Sequence, residues 1–297
     1  MGPQTGDPAG FSSIEDVWGA YTAQVEWFMQ ACAMAQKVEY EVAGREAPFL
    51  LISLLTDDCL ARGRALLQGG VRHLTAATEV YGMTTVSDSF SALDSLIFKG
   101  KKHAFSLVLQ SLRDNWVNHT RLRAELVEQP KFGNDNAMAD AWAVRVHEHA
   151  CHSALAAGEK IGLESHHIVN INNSANTDLG RFTGATPDGR EAGQGLSNGN
   201  SPAPGMDRHG LTALLNSMTK LRHDIHAGSV QNMKFSRTVF NHHLPELDFM
   251  LKAYFEKGGC QAMITVVSRQ DLEMALENPS EWGHLMVRVG GFSARFV

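Results

Sequence analysis

The segment that decides the fold lies at the end of the chain and reads Leu285-Met286-Val287-Arg288-Val289-Gly290-Gly291-Phe292-Ser293-Ala294-Arg295-Phe296. An apolar strand is predicted over Leu285–Val289, and two glycines follow it directly. Glycine adopts a positive φ without steric cost, so one interpretation is a tight turn between two strands. Taken alone, this segment predicts a β-hairpin and no particular chemistry.

Strands alternate with helices in the part of the chain that leads to this segment. The predicted strands are His167–Ile171, Ser229–Phe235 and Ala262–Val267. The predicted helices are Thr212–Lys220, Pro245–Glu256 and Leu272–Leu276, the last capped by Ser268 and Asp271. Such alternation indicates a parallel α/β arrangement.

The first two fifths of the chain are predicted to be mostly helical. Ser12 and Glu15 have the spacing of a capping box, and apolar residues then recur every three or four positions to about Val42. The same periodicity predicts helices at Leu51–Leu67, Val86–Phe98, His103–Val117 and Asn134–Ala157.

A glycine-rich stretch joins the two regions. Gly180–Gly210 contains eight glycines and three prolines, which indicates either a flexible linker or a long ordered loop. Charged residues are interleaved with the glycines, namely Arg181, Asp188, Arg190, Asp207 and Arg208. Flexible linkers lack such side chains, so we favour an internally hydrogen-bonded loop.

Composition excludes several classes of protein. With 43% hydrophobic residues the chain is not disordered, and a formal net charge of −6 supplies no basic face for nucleic acid. No apolar run reaches the length of a membrane span. The four cysteines are widely spaced, which favours reduced thiols and a cytoplasmic location; they are Cys32, Cys59, Cys151 and Cys260.

Three other patterns resemble ligand sites only partly. The cluster His147–His152 suggests zinc, but the residue four after His147 is Cys151, so the HExxH spacing is missing. The pairs His166-His167 and His242-His243 are adjacent and therefore diverge, so we assign structural roles to them and expect no metal. Gly193–Gly199 departs from the dinucleotide fingerprint in the spacing of its third glycine.

Two long motifs change the interpretation of the terminal hairpin. They are Gly184-Ala185-Thr186-Pro187-Asp188-Gly189-Arg190 and Ser201-Pro202-Ala203-Pro204-Gly205-Met206-Asp207-Arg208-His209-Gly210-Leu211-Thr212-Ala213. Together with Arg288–Phe296 they resemble the glycyl radical enzymes, the superfamily of pyruvate formate-lyase and glycerol dehydratase. Further segments resemble the same family: Thr5–Pro8, Asp57–Cys59, Thr85–Ser89 and Lys131–Asp135. The resemblance covers nearly the whole chain.

The resemblance implies an α/β fold, the second half of a ten-stranded α/β barrel surrounded by helices, with a C-terminal glycyl radical loop. It also implies two parts: residues 1–175, the C-terminal part of a mostly helical catalytic domain, and residues 176–297, a glycine radical domain.

In this family the glycine before the aromatic residue carries a backbone radical, which implies that role for Gly291. The radical loop would include Arg288, Val289, Gly290, Phe292 and Ser293. A Cα radical is stabilised when the centre becomes planar, and glycine has no Cβ to oppose this. The resemblance implies no bound cofactor. It implies that a radical S-adenosylmethionine activating enzyme makes the radical, under anaerobic conditions, and that oxygen destroys it.

The thiyl cysteine of the dehydratase members lies in a G-C-x-E motif, whose Glu is the general base. None of the four cysteines here has that context; Cys260 follows Gly259, but Gln261 and Ala262 come next. The resemblance therefore predicts that this chain is the C-terminal part of such an enzyme, by truncation, gene splitting or fragmentation. A missing N-terminal half or a homodimer is the expected partner, beside the activating enzyme.

Three functions remain open at this point: the radical-bearing part of a dehydratase or lyase that cleaves C–O, C–N or C–C bonds, a stand-alone radical subunit that restores another chain, and a folded remnant without a radical. Phe292 and the TPDGR segment favour the dehydratase and lyase branch over formate C-acetyltransferase activity. Asn173, Ser174 and Asn176 follow a predicted strand and offer polar groups, so we expect them in the pocket of a small substrate.

Overall fold

The computed structural model describes residues 2–171, 173–289 and 292–297. Its α-helices are α1 Ile14–Glu46, α2 Leu50–Leu55, α3 Cys59–Arg62, α4 Met83–Ala92, α5 Phe105–Arg113, α6 Thr120–Val127, α7 Ala137–Lys160, α8 Ala175–Arg181, α9 Leu211–Met218, α10 Arg237–His242, α11 Leu244–Glu256, α12 Arg269–Glu277 and α13 Pro279–Trp282. A π-helix, Leu93–Lys99, continues α4, and 3₁₀ turns occupy Pro8–Gly10 and Leu66–Gln68.

The cap of α1 lies one residue later than predicted. Ser13, not Ser12, is the N-cap: its hydroxyl accepts a hydrogen bond from the Asp16 N–H, and the Asp16 carboxylate accepts one from the Ser13 N–H. Glu15, the predicted partner, instead forms a bidentate ion pair with Arg145 of α7. The helix then continues to Glu46, four residues beyond the predicted end.

The single helix predicted over Leu51–Leu67 is wrong, because the chain turns twice within it. Asp58 adopts a left-handed φ of 71°, and Gly63 does so again with a φ of 59°. The Asp58 carboxylate binds the Arg72 guanidinium at 2.9 and 3.2 Å, which offsets the cost of that backbone conformation. The result is two short helices and a 3₁₀ turn.

Five parallel strands and one hairpin form the sheets of the described residues. They are β1 Thr75–Glu79, β2 Ser165–Asn170, β3 Gly228–Ser229, β4 Asn232–Lys234, β5 Met263–Thr265, β6 Met286–Val289 and β7 Phe292–Arg295. The order β1-β2-β3 is parallel, as is the pair β4-β5, which confirms the predicted parallel arrangement. The strand predicted over Ser229–Phe235 is divided between the two sheets.

The two faces of the β1-β2 pair have different neighbours. On one face His166 and Ile168 are buried, and Ile168 packs with the small residues Ala150, Ala154 and Ala157 of α7. The alternate residues point to the other face, where they are exposed or half-buried: Thr75, Ala77, Glu79, Ser165, His167 and Val169. We call this second surface the open face.

The glycine-rich stretch is an ordered loop, as favoured by its charged residues. The Arg190 guanidinium donates hydrogen bonds to the backbone carbonyls of Thr183, Gly184, Glu191 and Gln194. Trp116 and Arg123, both outside the stretch, donate to the carbonyls of Arg190 and Gly189. The loop is therefore held by its own side chains and by the helical region.

Three histidines meet behind the sheet. They are His147 of α7 and two residues of the segment between α9 and β3, His223 and His226. The Gly228 N–H donates to His226 Nδ1, so His226 Nε2 carries the hydrogen that reaches His223 Nδ1 at 3.2 Å. His147 Nε2 lies 3.0 Å from the Arg222 carbonyl. Because His226 Nδ1 and His223 Nδ1 accept hydrogen bonds, these two imidazoles are neutral in this arrangement. Within the described ranges, no group of three or more His, Cys, Asp or Glu side chains could hold a metal ion.

Burial lowers the pKa of all three imidazoles. For His147 and His226 the neighbouring histidines add to this effect, and the pKa of each falls to about 4. The nearby Asp224 carboxylate opposes this for His226. In the unfolded chain a histidine binds a proton near pH 6.5. The unfolded state therefore binds more protons than the folded state between about pH 6.5 and pH 4, and stability falls as the pH is lowered through that window.

We predict that the free energy of unfolding decreases from pH 7 to pH 4, with each of these histidines contributing up to about 1.4 kcal/mol per pH unit. His147→Gln keeps a donor for the Arg222 carbonyl but removes one titrating group, so its slope should be smaller. Urea denaturation at several pH values measures this. Val146→Ala, the adjacent buried position on α7, should lower stability at every pH and keep the wild-type slope. Equal slopes for His147→Gln and the wild type would contradict the assignment.

Candidate active site

Polar side chains meet where β1 and β2 end. Tyr81 donates a hydrogen bond to the Glu79 carboxylate, and the Asn173 amide donates to the Tyr81 hydroxyl at 2.7 Å. Ligands of open parallel sheets bind at the carboxyl ends of the strands, so this edge is the natural place for a polar substrate. Burial and the Glu79 carboxylate raise the pKa of Tyr81, which keeps its hydroxyl protonated.

The three predicted pocket residues occupy three different positions. Asn173 belongs to the Glu79–Tyr81 cluster. Ser174 is exposed at the start of α8. The side-chain amide of Asn176 donates to the Leu196 backbone carbonyl, and the Leu196 N–H donates to the Asn176 backbone carbonyl. Asn176 therefore joins α8 to the glycine-rich loop.

Sequence reasoning missed Glu79 and Tyr81. Glu79 is the last residue of β1, and Tyr81 lies two residues beyond it. The strand itself, Thr75-Ala76-Ala77-Thr78-Glu79, is short and has no run of large apolar residues. The available signal was the polar pair Glu79 and Tyr81 at the end of this segment. The pair indicates a site only once β1 is known to lie beside β2.

The glycine-rich loop is attached to the same edge. Thr85 and Ser197 exchange two hydrogen bonds, from each backbone N–H to the other hydroxyl, at 3.0 and 2.9 Å. The Asn170 amide at the end of β2 donates to the Asn200 side chain. The loop and the sheet edge therefore form one structural unit.

The terminal hairpin consists of two antiparallel strands, β6 and β7, in a defined register. Val289 pairs with Phe292, and Arg288 pairs with Ser293, in an antiparallel ladder. Gly290 and Gly291, the residues that connect the paired positions, lie outside the described residues. The predicted β-hairpin is confirmed by this register.

None of the four cysteines lies on the open face. Cys151 is buried on α7 and packs in the same cluster as Ile168, behind the sheet, while Cys59 is buried beside α2. Burial raises the pKa of the Cys151 thiol to about 12, so it stays protonated. Cys32 is half-buried on α1, and Cys260 is exposed between α11 and β5.

Comparison with known proteins identifies the class to which this fold and hairpin belong. The pyruvate formate lyase-like family profile matches residues 1–177, and the glycine radical profile matches residues 196–297. The chain belongs to the pyruvate formate lyase-like family and contains a glycine radical domain.

Individual relatives agree with this. The chain is 27% identical to trans-4-hydroxy-L-proline dehydratase of Clostridioides difficile and 30% identical to (2S)-3-sulfopropanediol dehydratase of Klebsiella oxytoca, covering all of this chain but 38% and 37% of theirs. The glycerol-bound B12-independent glycerol dehydratase of Clostridium butyricum superposes on 99% of the chain with a TM-score of 0.92 and 30% identity, and 38% of that protein is covered. The chain thus spans less than two fifths of these proteins. In the part described, no helix is long and apolar enough to cross a bilayer.

The Arg190 hydrogen bonds lead to a prediction about the loop. Arg190→Lys leaves several partly buried carbonyls without a donor, so the free energy of unfolding should fall by about 1–3 kcal/mol. Thermal unfolding measures the loss, and limited proteolysis should show earlier cleavage within residues 183–206.

Arg181→Lys is the matched control. Arg181 forms an exposed ion pair with Asp178, and such pairs contribute about 0–1 kcal/mol. Similar melting temperatures for the Arg190 and Arg181 variants would show that the guanidinium does not hold the loop.

Proposed function

We propose that this chain is the radical-bearing part of an anaerobic glycyl radical dehydratase or lyase, with the stored radical on Gly291. The observation that carries the proposal is the glycine radical domain, whose matched segment, residues 196–297, contains Arg288-Val289-Gly290-Gly291-Phe292 near its end. The relatives reported above are dehydratases, which favours that branch over formate C-acetyltransferase activity. Residues 1–175 would supply the helices and β1-β2, and residues 176–297 the radical domain.

The chemistry proposed for Gly291 is hydrogen-atom transfer. A radical S-adenosylmethionine activating enzyme would remove one hydrogen atom from its Cα. The glycyl radical would then take the hydrogen atom of a cysteine thiol, and the resulting thiyl would take one from the substrate. In each transfer a hydrogen atom moves one way and the radical centre moves the other way. The product radical would take a hydrogen atom back from the thiol, and the thiyl formed would take one from the Gly291 Cα, which restores the glycyl radical.

The open face is the proposed substrate surface. Parallel sheets are normally covered on both faces, and among the described residues α7 and α1 pack against one face of β1-β2, whereas the residues of the other are exposed or half-buried. The other face carries His167 and Glu79, and the Tyr81–Asn173 pair lies at its carboxyl edge. Hydroxyl, carboxylate and amide groups suit a small polar molecule, which agrees with the substrates that the names of the relatives give.

The thiyl cysteine is proposed to come from polypeptide outside these 297 residues. Cys151, which packs in one cluster with Ile168 of β2, lies on the covered face of the sheet and is separated from the open face by the strands themselves. A second polypeptide or a further part of the same protein would therefore cover the open face and complete the barrel.

Anaerobic incubation with a glycyl radical dehydratase activating enzyme should produce an electron paramagnetic resonance doublet, because the one hydrogen left on the Gly291 Cα splits the signal. Gly291→Ala should abolish the doublet completely, since a Cβ opposes planarity at that carbon. Exposure to oxygen should then cleave the wild-type backbone at Gly291, which mass spectrometry detects.

Gly283→Ala is the control. Gly283 has a right-handed φ of −58°, and a Cβ there would meet only the Pro279 carbonyl at 3.7 Å, so alanine is tolerated and the doublet should remain. A doublet that persists in Gly291→Ala would place the radical elsewhere. A wild-type chain that gives no doublet, even with the N-terminal part of a relative added, would contradict radical storage.

A further inference from the structure

A cavity of about 480 Å³ lies beneath the glycine-rich loop. Its walls come from α4, α6, α8 and the loop itself, and no lining residue belongs to a strand. The volume is within the range of small-molecule sites in proteins. The cavity is thus distinct from the sheet edge where Tyr81 and Asn173 meet.

Three charged side chains that line this cavity are more than nine tenths buried. The exposed fraction is 5% for Lys131, 7% for Asp188 and 8% for Arg190. Burying such groups is costly unless hydrogen bonds compensate. Arg190 is fully compensated, because its guanidinium donates to loop carbonyls and to the Thr186 hydroxyl.

Hydrogen bonds compensate only part of the cost of burying Lys131 and Asp188. The Lys131 ammonium donates to the carbonyls of Leu126 and Gln129, which leaves one N–H unused. Asp188 Oδ1 accepts from the Thr186 hydroxyl and the Arg190 N–H, whereas no hydrogen bond of the described residues reaches Oδ2.

Two neighbouring side chains on α8 add unused atoms. Asn176 Oδ1 and the Thr177 hydroxyl, which also line the cavity, have no hydrogen-bond partner among the described residues. The cavity therefore offers several acceptors and at least one donor to a ligand.

The remaining walls and the charge balance limit the kind of ligand. Val127, Leu196 and Met206 supply apolar surface that suits a carbon skeleton. Arg190 donates all of its N–H groups to the loop, and Arg123 pairs with Glu191 and the Gly189 carbonyl, so neither is available to a ligand. The groups that remain, Lys131 and Asp188, carry opposite charges, so neither an anion nor a cation gains from both. Burial raises the pKa of Asp188 and lowers that of Lys131, which brings both groups closer to their neutral forms.

We propose that this cavity binds a small uncharged polyol, with hydroxyl groups that donate to Asp188 Oδ2 and Asn176 Oδ1 and accept from Lys131 Nζ and Thr177 Oγ1. A hydroxyl both donates and accepts, so a polyol satisfies this mixed set without adding charge. The site goes beyond the proposed radical chemistry and does not depend on it.

Titration of the purified chain with glycerol and with sorbitol, followed by saturation-transfer difference NMR, tests the proposal. At least one of the two should bind saturably at a single site. Asp188→Asn keeps the Oδ1 acceptor but replaces Oδ2 by a donor, and Thr177→Val removes a hydroxyl at constant shape. Each should weaken binding about tenfold, the usual effect of losing one hydrogen bond in a site.

Thr183→Val is the matched control, because Thr183 is in the same loop region but does not line the cavity. It should keep wild-type affinity. If Asp188→Asn fails to fold, Thr177→Val still tests the proposal, because Thr177 lies on the exposed side of α8. Non-saturable binding, or unchanged affinity in Thr177→Val, overturns the proposal. The proposal is also overturned if Asn173→Ala loses binding while the cavity variants keep it, because the polyol would then bind at the sheet edge.

Discussion

The close packing of α7 against β2 is the contact on which the other features depend. A Cβ added to Gly158 would lie 2.5 Å from the Cβ of His166, so a glycine is required where the helix meets the start of the strand. Ala154 and Ala157 continue this small-residue surface. Because α7 and α1 pack against one face, the residues of β1 and β2 that point away from them form the other face. The same contact places Cys151 behind the sheet and His147 against the segment that leads to β3.

Much of this fold follows from hydrophobic periodicity, and the errors arise where distant residues decide a local choice. Ser12 and Ser13 each have an acidic residue three positions later, so the sequence allows two caps for α1. The choice is coupled to Arg145, which lies 130 residues from Glu15 and binds it. The break within the predicted Leu51–Leu67 helix likewise depends on Asp58, whose backbone conformation is supported by an arginine from beyond the helix.

The candidate site was predictable to a smaller extent. Asn173 could be proposed because it follows a recognisable strand, and the ordered glycine-rich loop could be proposed from its charges. Tyr81 could not, since β1 is short and polar and becomes a strand through its register with β2. The cavity near Asp188 is assembled from three helices and a loop, so no local spacing in the sequence indicates it.

Glycine has two separable uses in this chain, and only one of them is visible in contacts. Gly189 combines a φ of 99° with a Cβ position 2.3 Å from a methyl carbon of Val127, so both sterics and backbone conformation exclude any side chain there. Such a requirement concerns folding, and an alanine at that position destabilises the loop whatever the chemistry. The requirement proposed for Gly291 concerns the planar geometry of a radical centre. It arises only after a hydrogen atom is removed, so it is separate from any requirement that folding sets at the same position. Folding and radical formation must therefore be measured separately, because a folded variant without a signal is the result that distinguishes a radical site from a turn.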